Sequence, residues 1–278
     1  MFQLLKPGHV IPFMRMAFPA TVMSLCIIAF CIFSLATRGL NWGLDFTGGT
    51  IAEVSFEQPA DLDLMRGALT KEGIDGAVVQ HFGSTRDVLI RLAPKGEVDQ
   101  QQLASKVTLA AQAVSATAKL SRLEFVGPAV GEELAQNGFL AIVASLGCIL
   151  AYIGFRFEWR MATGAVMSLA HDVIVTLGAF SWFQMEFDLT VLAAVLTVVG
   201  YSLNDTIVVF DRVRENARRL RKGDMREIMD ISMTETLSRT LITSGTTLFT
   251  VGALLLFGGE ALYGFSFTLF VGILVGTL

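Results

Sequence analysis

The sequence predicts an α-helical polytopic membrane protein with six transmembrane helices. One α+β domain of ferredoxin-like βαββαβ order is expected between the first and second helices. Three observations carry this expectation. Hydrophobic residues fill 53% of the 278 positions before the 26 glycines are counted, and charged residues only 17%. Soluble domains sit near 45–50% apolar, glycine included, with about a quarter of residues charged. The apolar residues gather into six runs, and the single long interval between the first two runs reverts to globular composition.

The first run, Phe18–Ala36, follows Lys6 and Arg15. Ser34-Leu35-Ala36 resembles a signal-peptide cleavage site, but the apolar stretch exceeds the usual 7–15 residues and five further runs follow, which favours a retained anchor. The interval 37–137 opens with Gly49–Phe56, alternating as a half-buried strand does. Asp61–Glu72 reads as a helix capped by Asp61, and Ala77–Phe82 as a strand. A Gly83-Ser84-Thr85 turn leads into a strand at Asp87–Leu92, a helix at Asp99–Ala116 and a last strand at Leu120–Val126. That order is the split βαβ pattern, a fold with no obligatory chemistry. The remaining runs are Gly138–Phe155, Met161–Phe183, Leu189–Phe210, Leu241–Phe257 and Gly264–Leu278. Most approach the ~20 residues a helix needs to cross ~30 Å of hydrocarbon. The last would cover only about 22 Å at 1.5 Å per residue, so an incomplete final helix and a missing C-terminal piece are expected. The domains expected are therefore 1–36 (N-terminus and first helix), 37–137 (α+β domain) and 138–278 (a five-helix bundle with a basic loop at 211–240).

Lysine and arginine orient these spans. With the N-terminus cytoplasmic, segments 1–17, 156–160 and 211–240 carry two, two and eight basic residues, while the short opposite loops at 184–188 and 258–263 carry none. That asymmetry fits the positive-inside rule and makes 37–137 periplasmic, a segment long enough to translocate regardless of its own nine basic residues. The run from Arg212 to Lys222 reads as a solvated helix facing lipid headgroups.

The net charge of −4 offers no footprint for nucleic acid. Cys26, Cys31 and Cys148 all lie in apolar runs without metal-ligand spacing, and His81 reads as a partly exposed strand residue. No nucleophile, metal cluster or phosphate loop suggests an enzyme, and no metal or cofactor is expected.

Polar residues inside the spans are the informative exceptions, because a mid-membrane charge costs at least about 2.5–3.5 kcal/mol on insertion scales. Gly164, Ser168, Asp172 and Thr176 recur every four residues in the third run, beside His171. Asn204 and Asp205 lie in the fourth, with Thr197 and Tyr201 on nearly the same face. The fifth begins at Arg239 and continues through Thr243, Thr246 or Thr247, and Thr250. Small and hydroxyl residues at this spacing serve as packing surfaces in membranes. For Asp205 the cost demands more. Arg239 enters its span at a similar depth, so the two can pair. Pairing and desolvation act on a carboxylate in opposite senses, so a protein alternating between paired and unpaired states would load and release a proton. A static structural pair is the alternative, and Asp172 is divided between a proton pathway and packing polarity.

The motif Gly43-Leu44-Asp45-Phe46-Thr47-Gly48-Gly49-Thr50 resembles the signature of the SecD/SecF family of bacterial protein-export subunits, on its SecF side. So do Val126-Gly127-Pro128, His171-Asp172 and Ser238-Arg239-Thr240. The long run Tyr201-Ser202-Leu203-Asn204-Asp205-Thr206-Ile207-Val208-Val209-Phe210-Asp211-Arg212-Val213-Arg214-Glu215-Asn216 is the most specific match. Together they cover essentially the whole chain in order. The family is related to proton-driven exporters of the resistance–nodulation–division type. The resemblance implies a SecD partner, action beside the SecY/SecE/SecG channel with YajC and YidC, an emerging preprotein as substrate, and protons as the coupling ion. By position it makes Asp205 the proton-responsive carboxylate and Arg239 its partner, with Asp172 a weaker candidate. Gly43, Asp45, Gly48, Gly49, Asn204, Asp211 and Arg212 are motif positions. This chain would supply half of a proton path shared with SecD. A small-molecule antiporter half or a purely structural scaffold are the competing expectations.

Overall fold

A computed structural model of the protein describes residues 10–92, 100–156, 159–220 and 224–277. The elements in order are α1 (Phe13–Arg38), β1 (Asn41–Trp42), α2 (Leu44–Thr47), β2 (Gly49–Ser55), α3 (Leu62–Lys71), β3 (Val78–Phe82), β4 (Ser84–Leu92) and α4 (Gln100–Val114). They continue with β5 (Lys119–Val126), α5 (Pro128–Arg156), α6 (Trp159–Phe183), β6 (Glu186–Phe187), α7 (Leu189–Arg219), α8 (Met225–Phe257) and α9 (Glu260–Thr277). The chain divides into two compact units, residues 42–139 and residues 1–41 with 140–278.

In the first unit the strands align as β3-β4-β2-β5, every neighbouring pair antiparallel. Thr50 lies opposite both Leu92 and Phe125, so β2 is central, while His81 sits exposed on the edge strand β3. The β3–β4 connection turns at Gly83, whose φ of 69° is the left-handed conformation that glycine adopts without strain. Helix α3 starts where the sequence predicts: the Asp61 carboxylate accepts hydrogen bonds from the backbone N–H groups of Asp63 and Leu64, a cap worth about 0.5–2 kcal/mol. One face of the sheet (Ala52, Val54, Val79, Val88 and Ile90) closes over Met65 and Leu69 of α3 and Val107, Ala110 and Ala111 of α4. Each fully buried large side chain there contributes about 1.5–3 kcal/mol relative to exposure.

The second unit is helical. Among the described residues, five helices are long and apolar enough to cross a membrane: Phe13–Arg38, Ala129–Arg156, Met161–Phe183, Leu189–Arg219 and Met225–Phe257; Ala261–Thr277 is a shorter apolar helix. Helices approach closely where side chains are minimal. A Cβ added at Gly178 of α6 would lie 2.4 Å from Cys31 of α1, and one at Gly272 of α9 would lie 2.4 Å from Val198 of α7. Beside the first contact, the buried hydroxyls of Ser34 and Ser181 hydrogen-bond at 2.9 Å. Small residues and interhelical hydrogen bonds are the usual adhesives between membrane helices.

Three departures from the sequence reading have physical causes. Helix α5 begins at Pro128, ten residues before the apolar run, because apolarity marks the membrane slab and not the helix end; proline is well suited to a first helical position. The expected basic loop at 211–240 is mostly helix, since α7 continues to Arg219 and α8 starts at Met225. Residues 221–223 of that segment, Asp99 at the predicted start of α4, and residues 157–158 of the expected 156–160 turn lie outside the described residues. The small-residue stripe of α6 is not one buried face: Asp172 and Thr176 are buried, Gly164 and Ser168 exposed.

Candidate functional site

Two clusters of polar residues in the helical unit lie near the C-terminal end of α9. In the first, Asp172 of α6 is 2% exposed. Its Oδ2 accepts a 2.6 Å hydrogen bond from the Ser202 hydroxyl of α7, and its Oδ1 lies 3.0 Å from Nδ1 of His171. The other imidazole nitrogen, His171 Nε2, is buried without a hydrogen-bond partner among the described residues. Gly276 of α9 closes this cluster: a Cβ there would lie 3.1 Å from both Asp172 Oδ2 and Ser202 Oγ.

The second cluster begins one residue further along α9. The Thr277 hydroxyl donates to Ser244 Oγ of α8 at 2.9 Å, and Ser244 Oγ donates to Asp205 Oδ2 of α7 at 3.5 Å. The Tyr201 hydroxyl stands 3.5 Å from Ser244 Oγ and 3.3 Å from Thr247 Oγ1. Asp205 is half-buried. Arg239 is exposed, and among the described residues it acts on this carboxylate electrostatically and not through a direct ion pair. Hydroxyls both donate and accept, so Ser244, itself linked to Thr277 of α9 and near Tyr201 of α7, can accommodate either protonation state of Asp205. Among the described residues no group of three His, Cys, Asp or Glu side chains gathers as a metal site would.

The other motif positions do different work. Asn204 is exposed. Asp211 holds Arg156 of α5 at 3.1 Å, while Arg212 reaches Glu235 of α8 and Glu215, each at 2.6 Å. Asn216 reinforces the α7–α8 contact through Ser232 at 3.0 Å and Glu235 at 2.8 Å. In the sheet unit, Gly43 is the N-cap of α2 and its carbonyl accepts from the Thr47 hydroxyl; Asp45 lies in the first turn. Gly48 and Gly49 have φ of 65° and 119°, conformations L side chains rarely adopt. A Cβ on Gly131 of α5 would lie 3.0 Å from Gly48 N and 3.1 Å from Phe46 O, so the segment after Val126-Gly127-Pro128 packs directly on the double-glycine turn.

Sequence reasoning found Asp172, Asp205 and Tyr201 but did not single out Ser202, Ser244, Gly276 or Thr277. A hydroxyl or glycine in an apolar helix carries no signal of its partner; only the i, i+3 spacing from Tyr201 to Asn204 and from Ser202 to Asp205 puts Ser202 near the charged face.

Comparison with known proteins gives these motifs a family. Residues 106–278 match the family described as protein export membrane protein SecD/SecF, C-terminal, and residues 33–60 match the SecD/SecF GG motif. The protein translocase subunit SecF of Vibrio alginolyticus is 56% identical over all 278 residues, which is 88% of its own length. That of Escherichia coli O157:H7 is 50% identical over 99% of this chain and 86% of its own. A crystal structure of SecDF, a translocon-associated membrane protein from Thermus thermophilus, superposes with a TM-score of 0.88 at 37% identity, covering 100% of this chain and 38% of that one. The chain thus spans little more than a third of that SecDF chain but nearly nine-tenths of these SecF relatives. It is a multi-pass membrane protein and belongs to the SecD/SecF family.

Proposed function

We propose that the chain acts as a SecF-type subunit of the Sec protein-export machinery, using the proton-motive force together with SecD to promote late translocation of preproteins across the bacterial inner membrane. It has no enzymatic step of its own, needs no cofactor, and takes protons as its coupling ion. In this reading α9 is the sixth span, the N-terminus is cytoplasmic, and segment 37–137 is a periplasmic domain of ferredoxin-like type that moves against the emerging preprotein. The βαββαβ element order and the β3-β4-β2-β5 strand order support that domain type. The SecY/SecE/SecG channel, YajC and YidC are the neighbours this role requires.

The observation that carries the reading is Asp205, a half-buried carboxylate within a membrane span that accepts from the Ser244 hydroxyl and has Arg239 in electrostatic range. Such a group is costly to insert and is retained where it works. Asp205 takes and releases the proton, Arg239 biases its charge, and Asp172 with Ser202 forms a second polar station between α6 and α7. One charge moving across 100 mV yields about 2.3 kcal/mol, enough to shift a two-state equilibrium about 50-fold. A charge crossing part of the membrane yields proportionally less.

The test is Asp205→Asn, which keeps the shape and one acceptor oxygen. In inverted vesicles, preprotein release should lose its dependence on the proton gradient while co-purification with SecD is unchanged. Full gradient-dependent stimulation by the Asn variant would overturn the proton role.

A further inference from the structure

An open groove of about 560 Å³ lies in the helical unit, lined by Arg156, Asp211, Arg214, Glu215, Arg218 and Arg219. The proton reading does not use it. Its charges are unevenly satisfied. Asp211 already accepts from Arg156 at 3.1 Å, and Glu215 from Arg212, outside the groove, at 2.6 Å. The Arg156 carbonyl in turn accepts a long, 3.4 Å hydrogen bond from Nη1 of Arg214, which also lines the groove. With both carboxylates engaged, Arg214 and the exposed Arg218 and Arg219 give the groove a net positive field.

The groove also sits where apolar helix gives way to charged helix on both of its walls. On α5 the residue before Arg156 is Phe155, 94% exposed. On α7 the residue before Asp211 is Phe210, which with Ile207 packs against Ile153 of α5 and Ala162 and Ala165 of α6. The groove thus offers guanidinium groups, and one residue before its Arg156 wall α5 carries the exposed phenyl ring of Phe155. Free phosphate would use only the guanidinium groups; arginine forks bind phosphate oxygens bidentately, and an exposed phenyl ring such as Phe155 suits an acyl chain.

We propose that this groove holds the headgroup of an anionic phospholipid, with Arg214, Arg218 and Arg219 gripping the phosphate and the Phe155 side accommodating an acyl chain. The plainer alternative, arginines that only offset the negative C-terminal end of α7, predicts no selectivity among lipids.

The experiment is native mass spectrometry of the full chain released from detergent after incubation with cardiolipin, phosphatidylglycerol or phosphatidylcholine. The chain should retain the two anionic lipids preferentially. Near-surface basic residues are worth about fivefold each, so the triple variant Arg214→Gln/Arg218→Gln/Arg219→Gln should lose roughly 100-fold in anionic-lipid retention. Arg218→Gln alone, at an exposed position, should lose about fivefold, and serves if the triple variant folds poorly. Arg226→Gln, on α8 and outside the groove lining, should change nothing. Equal retention of phosphatidylcholine, an equal loss from Arg226→Gln, undiminished retention by Arg218→Gln, or complete displacement of lipid by millimolar inorganic phosphate would each overturn the proposal.

Discussion

The two units of this chain solve the packing problem in opposite ways. The sheet unit hides its large apolar side chains: Met65, Leu69, Val88, Ile90 and Val107 have no exposed surface. The helical unit buries some, such as Phe180 and Leu169, but displays many others, with Phe18, Phe155, Phe249 and Phe257 each at least 80% exposed, while Asp172, Ser181, Ser202, Ser232, Ser244, Ser266 and Thr268 are buried. In water, apolar burial drives association and polarity stays outside. In lipid no such drive separates helix from tail, so close approach and hydrogen bonding decide which helix faces meet. Function then falls where the second rule operates, because a polar residue inside this unit is either an adhesive or a working group.

The largest difference should come from one kind of truncation made in both units. Met65→Ala should destabilise the sheet unit by about 2–5 kcal/mol through the cavity it leaves. Phe249→Ala removes a larger side chain that is 81% exposed and should change stability by no more than about 0.5 kcal/mol. Amide hydrogen exchange on the full chain, read separately for residues 42–139 and for the helices, measures both. Similar losses at the two sites would break the contrast.

A smaller effect, and one confined to the helical unit, separates adhesive glycines from idle ones. Gly272→Ala forces a Cβ to within 2.4 Å of the β-branched Val198 and should cost about 1–3 kcal/mol as α7 and α9 part. Gly245→Ala, with nothing within 4 Å of its new Cβ, should be neutral or gain up to about 1 kcal/mol from helix propensity. Thermal unfolding in detergent gives the sign of each. A destabilised Gly245→Ala beside an unaffected Gly272→Ala would mean that close approach does not hold these helices.

The same contrast explains what could be read from the residues alone. In the sheet unit, alternation and caps are local signals, so β2, α3 and β5 appear within a residue or two of their expected limits, with Asp61 in its capping place. The short helix α2 inside the Gly43–Thr50 motif was not legible, being a single turn without periodicity. In the helical unit, composition locates spans but not their rotation about their axes. Depth along the chain suggested a direct pair between Asp205 and Arg239, yet Arg239 is exposed and Asp205 meets Ser244, five residues further into α8. A long cation extends toward polar surroundings while its stem covers apolar surface, so equal depth of two Cα atoms does not bring their charges together. The Ser202–Asp172 contact likewise depends on how α6 and α7 face each other, which no single-helix pattern encodes.

The smallest expected effect tests whether the sheet unit keeps its polar groups at the surface as the contrast requires. Asp87 of β4 accepts hydrogen bonds from the Ser84 hydroxyl at 2.6 Å and the Ser55 hydroxyl at 2.7 Å. These two donors, Ser84 first, hold its carboxyl below the usual range, against a small opposing effect of burial. A carboxyl whose folded value is depressed stabilises the fold above its unfolded value, near 3.9, and loses that contribution as the pH falls through the folded value. Asp87→Asn leaves one acceptor oxygen where there were two, so the parent should be slightly the more stable at pH 6 and the gap should close below about pH 4. Hydrogen exchange in β2 and β4, where Ser55 pairs with Asp87, reads this locally. A gap that persists unchanged to pH 3 would show that packing at this position, and not the ionised carboxylate, holds the two strands in register.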